Sequence, residues 1–138
     1  MDSSDRRLHR VVYTSRLHGE ALAAEDATVA RIVESARRNN PRRGVTGVLV
    51  HGKGAFAQVL EGRPLVVRGL LTVIQRDPRH TDMRIVKVDV VEDRIFPAWS
   101  MALLRDLDEV PAEFADGNAS LLMLMRLRTL LHTGVMGA

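Results

Sequence analysis

The sequence predicts an α+β fold with the ferredoxin-like order βαββαββ: a five-stranded mixed sheet with two helices on one face and C-terminal helices on the other. Three observations lead there. Runs of β-branched and aromatic residues alternate with two stretches whose apolar positions recur at helical spacing. A Gly52-Lys53-Gly54 turn joins two of the runs into a hairpin. The stretch ASLLMLMRLRTLL at 119–131 holds more apolar side chains than a solvated helix would, so it suits the sheet face left bare by the first two helices.

Residues 1–7 are a polar leader, and 8–15 (LHRVVYTS) read as the first strand, with His9, Val11, Tyr13 and Ser15 on one face. Residues 16–25 show no clear period and read as a loop. A helix is expected from about Asp26, a capping residue, with Val29, Ile32, Val33 and Ala36 as its stripe. Asn39-Asn40-Pro41 should end it, because proline cannot continue a helix. Residues 45–51 and 56–61 are the hairpin strands. Gly62 and Pro64 open a second helix to Arg76, with Val67, Leu70, Leu71 and Ile74 buried; Asp77-Pro78 stops it. Residues 84–92 set Val86, Val88 and Val90 against Lys87 and Asp89, which suits a strand with one wet face or an edge strand. Residues 96–104 make the fifth strand and close a domain at 8–104. In the extension, 105–138, helices are expected at 110–114 and 119–131. Leu121, Leu122, Met125, Leu130 and Leu131 should cover the sheet, leaving Met123, Leu124 and Leu127 for a partner such as a second copy.

Composition narrows the function. The chain has 138 residues, enough for one domain, and a net charge of +3 from arginines scattered in short clusters, so nucleic-acid binding is not expected. It holds no cysteine, which removes thiolate chemistry and disulfides. The first ten residues lack an apolar core, and no apolar run reaches the roughly 18 residues of a membrane span; a soluble, cytoplasmic protein with no membrane partner is expected.

One amide stands out. Gln58 shares a strand face with Phe56 and Leu60, and an unpaired buried amide costs roughly 1–3 kcal/mol, so it needs the protein, a water or a ligand as partner. The two helix stripes supply Ile32 and Ile74, between which a flat ligand could slide. Tyr13, Gln58, Asn39 and Asn40 surround that gap and can reach a polar ring edge. Each also has an ordinary reading: core tyrosine, helix cap, or amide paired with backbone. The five histidines lack metal-ligand spacing, so no metal is expected; no Ser, His and acid set and no phosphate loop appear.

The residues then match a pattern. VVYTS (11–15), SARRNN (35–40), GVTGVLV (44–50), GAFAQVLEG (54–62), IQRDPRH (74–80) and RIFPAWSM (94–101) occur in order, and together the chain resembles a BLUF domain, the blue-light sensor that binds FAD. The resemblance implies a flavin, FAD with FMN or riboflavin as substitutes, held between the two helices against Ile32 and Ile74. It implies that Tyr13 and Gln58 are the photochemical pair, with Asn39, Asn40 and Asp77 at the ring's polar edges and Arg79 and His80 toward the ribityl and phosphate end. It implies that light drives proton-coupled electron transfer through Tyr13, Gln58 and flavin, with no net turnover, so the protein is not an enzyme. Trp99 and Met101 match relay residues on the fifth strand, and the extension would carry output or oligomerisation, through a homodimer, a larger homo-oligomer or a separate protein partner. Two features depart from the pattern: Val73 stands where many relatives have a basic residue, and residues 16–25 align with no motif. The alternatives are an acylphosphatase-like enzyme on the same scaffold, for which no compact Arg and Asn anion loop is seen, and a light-insensitive interaction module.

Overall fold

The computed structural model describes residues 7–97, 100–108, 110–115 and 121–132. The elements are β1 (Leu8–Leu17), α1 (Gly19–Ala23), α2 (Glu25–Arg43), β2 (Thr46–Gly52), β3 (Ala55–Gly62), α3 (Pro64–Gln75), β4 (His80–Val91), β5 (Ala102–Leu107), α4 (Ala112–Ala115) and α5 (Leu121–His132). The five strands lie in the order β4-β1-β3-β2-β5. All neighbours are antiparallel except β2 and β5, which are parallel, so the sheet is mixed. The expected ferredoxin-like α+β architecture is therefore the one observed.

Two apolar layers sandwich the sheet, because strand alternation sends successive side chains to opposite faces. On one face Tyr13, Leu49, Phe56 and Leu60 meet Val29 and Val33 of α2, with Leu70 and Ile74 of α3 packed against them. On the other, Val12, Val48, Val50, Ala57 and Val59 meet Phe114 of α4 and Leu124 and Leu127 of α5. The hairpin that organises both layers turns at Gly54, whose φ of 73° favours a residue without Cβ. Gly47 is required for another reason: a Cβ there would lie 1.9 Å from the Val59 carbonyl oxygen.

Several boundaries differ from expectation. β1 continues to Leu17, and the segment read as a loop contains α1; the Leu17 N–H bonds the Gly54 carbonyl, so the hairpin turn extends the strand. α2 passes through Pro41 and ends at Arg43. Proline removes one helical donor, but only the last turn follows it, and Gly44, at φ 67°, closes that turn with its N–H on the Asn40 and Pro41 carbonyls. Acidic Glu25 and Asp26 in the first turn and Arg42 and Arg43 in the last suit the helix dipole.

β4 begins at His80 rather than Arg84 and is an edge strand. A register shift opposite Val12 and Tyr13 places Ile85, Val88 and Val90 on the helix side, each more than half exposed, while Val86 packs into the opposite core. The fifth strand is 102–107, not 96–104, because the preceding chain is captured elsewhere: buried Glu61 accepts the N–H groups of Ile95 and Phe96 and the Arg10 Nε, all at 2.8 Å. These bonds draw residues 95 and 96 toward β3 before pairing with β2 can start.

The tail covers the open sheet face with a different side of its helix than expected. Leu124 and Leu127, one turn apart, are buried there and Met123 packs beside them, whereas Leu122 and Met125 are 58% and 40% exposed. Apolar residues fall on several sides of 119–131, so the pattern alone points to the wrong face; contact with Phe114 and Phe96 sets the buried one. The side chains of Leu121, Leu130 and Leu131 lie outside the described residues. Among the described residues no helix is long and apolar enough to cross a membrane.

Candidate functional site

A cleft opens between α2 and α3 over the sheet. Tyr13, Ile32, Asn39, Asn40, Gln58, Ile74, Asp77, Arg79 and His80 all line it. The sequence reading missed Ser35 and Arg43 as lining residues, although helical spacing carried the signal: 32, 35, 36, 39, 40 and 43 follow one face of α2. Val73, the departure noted above, also lines it and is 62% exposed.

At its floor, Tyr13 and Gln58 face each other in the β1–β3 register and are both buried. The Tyr13 hydroxyl donates to Gln58 Oε1. The other end of the same amide, Nε2, donates to Met101 Sδ at 3.4 Å. The Gln58 amide thus has its protein partners, one an ionisable phenol and the other a weak sulfur acceptor. Burial pushes the Tyr13 pKa well above the ordinary phenol range, and the nearby negative charge of Asp77 raises it further. The phenol is therefore a firmly protonated donor at neutral pH, aimed at a carbonyl oxygen. Phe56 meets the Tyr13 ring edge-on, with centroids 6.1 Å apart.

The cleft ends are built by the helix termini. Asn40 is buried and donates Nδ2 to the Ser100 carbonyl at 2.8 Å, while Asn39 donates to Ser35 Oγ at 3.3 Å and accepts from Arg42 at 2.7 Å. Asp77 accepts the Arg79 Nε at 2.9 Å and the Arg79 backbone N–H at 2.9 Å. Burial would raise the Asp77 pKa, but these Arg79 bonds more than offset it and hold the carboxyl below its usual range. His80 is committed internally at both ring nitrogens: Nε2 meets the Ile74 carbonyl at 2.6 Å and Nδ1 meets the Ser15 hydroxyl. It ties β1 and the end of α3 together beside the cleft.

Met101 precedes β5 instead of lying on it, and its side chain is fully buried under Gln58. Trp99, the other expected relay residue, lies outside the described residues.

Comparison with known proteins extends the geometry. Residues 8–102 match the model of the BLUF family, described as sensors of blue-light using FAD. The photoactivated adenylate cyclase subunit beta of Euglena gracilis is 29% identical over 152 residues, a match spanning 96% of this chain but only 18% of that protein. Among solved structures, the BLUF protein BlrB in its dark state superposes with a TM-score of 0.74 at 24% identity, covering 94% of this chain and 98% of that one. A bacterial light-regulated adenylyl cyclase gives a TM-score of 0.65 at 33% identity, covering 91% of this chain and 33% of its own.

Proposed function

The chain belongs to the BLUF family of flavin-binding blue-light sensors, and from that premise we propose that it is a photoreceptor switched by its Tyr13–Gln58 pair. The observation that carries this reading is the Tyr13 hydroxyl bonded to Gln58 Oε1 at the floor of the cleft between α2 and α3.

The cleft's own chemistry fits a flavin. Half-buried Ile32 and Ile74, one from each helix, suit a flat ring, and the amides of Asn39, Asn40 and Gln58 are the donor and acceptor groups that pair with a pyrimidine edge. Asp77 serves the ring's polar side and Arg79 the ribityl and phosphate end, where His80, expected from the sequence to share that role, has both ring nitrogens taken by Ile74 and Ser15 and so contributes only to the wall of the cleft. FAD is the expected species. The bound flavin supplies absorption in the blue and, once excited, oxidising power. With an excited flavin as the electron acceptor, Tyr13 would yield an electron and its hydroxyl proton would move along the existing bond to Gln58. The Gln58 amide would then rearrange and withdraw Nε2 from Met101 Sδ, freeing it to donate to the ring's carbonyl edge, a change that would move absorption slightly to the red. The electron and proton would return to Tyr13, so nothing would be consumed. From Gln58 the signal passes through Met101 and Trp99 to β5 and the C-terminal helices, and from there to a homo-oligomer or a separate protein.

The test is optical. Purified protein should be yellow, its flavin band should shift reversibly to longer wavelength under blue light, and Gln58→Leu should keep the flavin yet lose the shift. A flavin-free protein, or a normal shift in Gln58→Leu, overturns the reading.

A further inference from the structure

Two side chains of α2 hold the chain just ahead of β5. Asn40 Nδ2 donates to the Ser100 carbonyl and Arg37 Nε to the Met101 carbonyl, both at 2.8 Å. Spaced i, i+3, they come from neighbouring turns of one helix face. The parallel ladder with β2 begins only at Ala102, so these two carbonyls lie before the strand's own pairing. Met101 is consequently gripped twice, at its sulfur by Gln58 and at its carbonyl by Arg37.

The two α2 donors are not equivalent. Asn40 lines the cleft, so its amide also answers to whatever the cleft binds; Arg37 does not line it. Arg37 is an exposed residue whose guanidinium carries a charge-assisted bond to one backbone carbonyl, a bond stronger than a neutral one. That bond involves neither the Gln58 amide nor the cleft, so it does not depend on the sulfur contact.

We propose that Arg37 is a positioning residue of the switch: through the Met101 carbonyl it keeps the Ser100–Met101 segment where Met101 Sδ can receive Gln58, and so sets the rate of return after light. This rests on the photoreceptor reading above. With Arg37 in place, recovery needs only the amide to turn back; without it, the segment must first be recaptured.

The experiment compares wild type, Arg37→Ala and Arg37→Lys, full chain with flavin bound. Dark recovery is followed at the flavin band and emission at Trp99, the sole tryptophan, two residues before Met101. Arg37→Ala should keep the flavin spectrum and the size of the light-induced shift, slow recovery at least threefold, and move dark-state Trp99 emission toward that of illuminated wild type. Arg37→Lys, which restores a cationic donor, should recover most of both. Recovery and emission unchanged in Arg37→Ala, loss of flavin from it, or no rescue by lysine each overturns the proposal. A wild-type protein that shows no light-induced shift instead removes the photoreceptor reading, and dark Trp99 emission then still decides whether Arg37 holds the segment.

Discussion

Tyr13 and Gln58 stand directly opposite each other on antiparallel β1 and β3, and the phenol hydroxyl donates to the amide oxygen inside a nearly dry layer. Opposed residues share a sheet face, so their separation is set by the ladder and not by flexible loops. Tyr13→Phe removes that hydroxyl alone. It is expected to retain flavin, to lose the light-induced shift, and to cost about 1 kcal/mol of stability, the usual net worth of one hydrogen bond. Absorption spectra under blue light and urea denaturation check the two effects separately.

Glu61 organises the chain on the opposite face. Its carboxylate takes the Arg10 Nε and the N–H groups of Ile95 and Phe96. In Glu61→Gln one carboxylate oxygen becomes an NH2 that cannot accept from these donors, so a loss of about 1–3 kcal/mol is expected. Glu61→Ala also strips the buried Arg10 of its carboxylate and should cost about 3–5 kcal/mol. Chemical denaturation of both variants at neutral pH measures this, and a loss below about 0.5 kcal/mol in the alanine variant contradicts the anchoring role.

Glu25 predicts a pH dependence. It joins the start of α2 to the hairpin by accepting the Gly54 N–H at 2.5 Å and contacting His51 Nε2 at 2.7 Å. Burial would raise its pKa, but the Gly54 and His51 bonds more than offset this and hold the carboxyl below its ordinary 4.5. A depressed folded pKa gives stability that is present above the unfolded value and disappears as pH falls through the folded one. Wild type should exceed Glu25→Gln by about 1 kcal/mol or less at pH 7, because the side chain is partly exposed. That gap should close as pH drops below 4.5. Melting curves of both proteins across this range are the check; a gap that stays constant in acid rules out the carboxylate as its source.

The tail offers a paired test. Leu124 is 2% exposed against the sheet and its neighbour Met125 is 40% exposed. Leu124→Ala should destabilise by about 2–5 kcal/mol, the range for emptying a buried leucine site. Met125→Gln should stay within about 0.5 kcal/mol. Equal effects in urea titrations would mean that α5 packs by another face.

What the sequence determined by itself was local: strand alternation, helix stripes, the glycine turn, and an amide at 58 on an apolar face. Those periodicities suffice to group Tyr13 with Val11 and Ser15, and Gln58 with Phe56 and Leu60, on one face of their strands, and to set Ile32 and Ile74 in the apolar stripes of their helices, because the periods of 2 and 3.6 are properties of the backbone. Only the tertiary structure decided the rest. Pro41 stays inside α2 because Gly44 closes the turn after it. β5 starts at Ala102 because Glu61 captures Ile95 and Phe96 first, and that late start leaves the Met101 carbonyl to Arg37. Each of these turns on partners 34 or more residues away, or on a cap that must prevail over proline, and no local pattern carries that information.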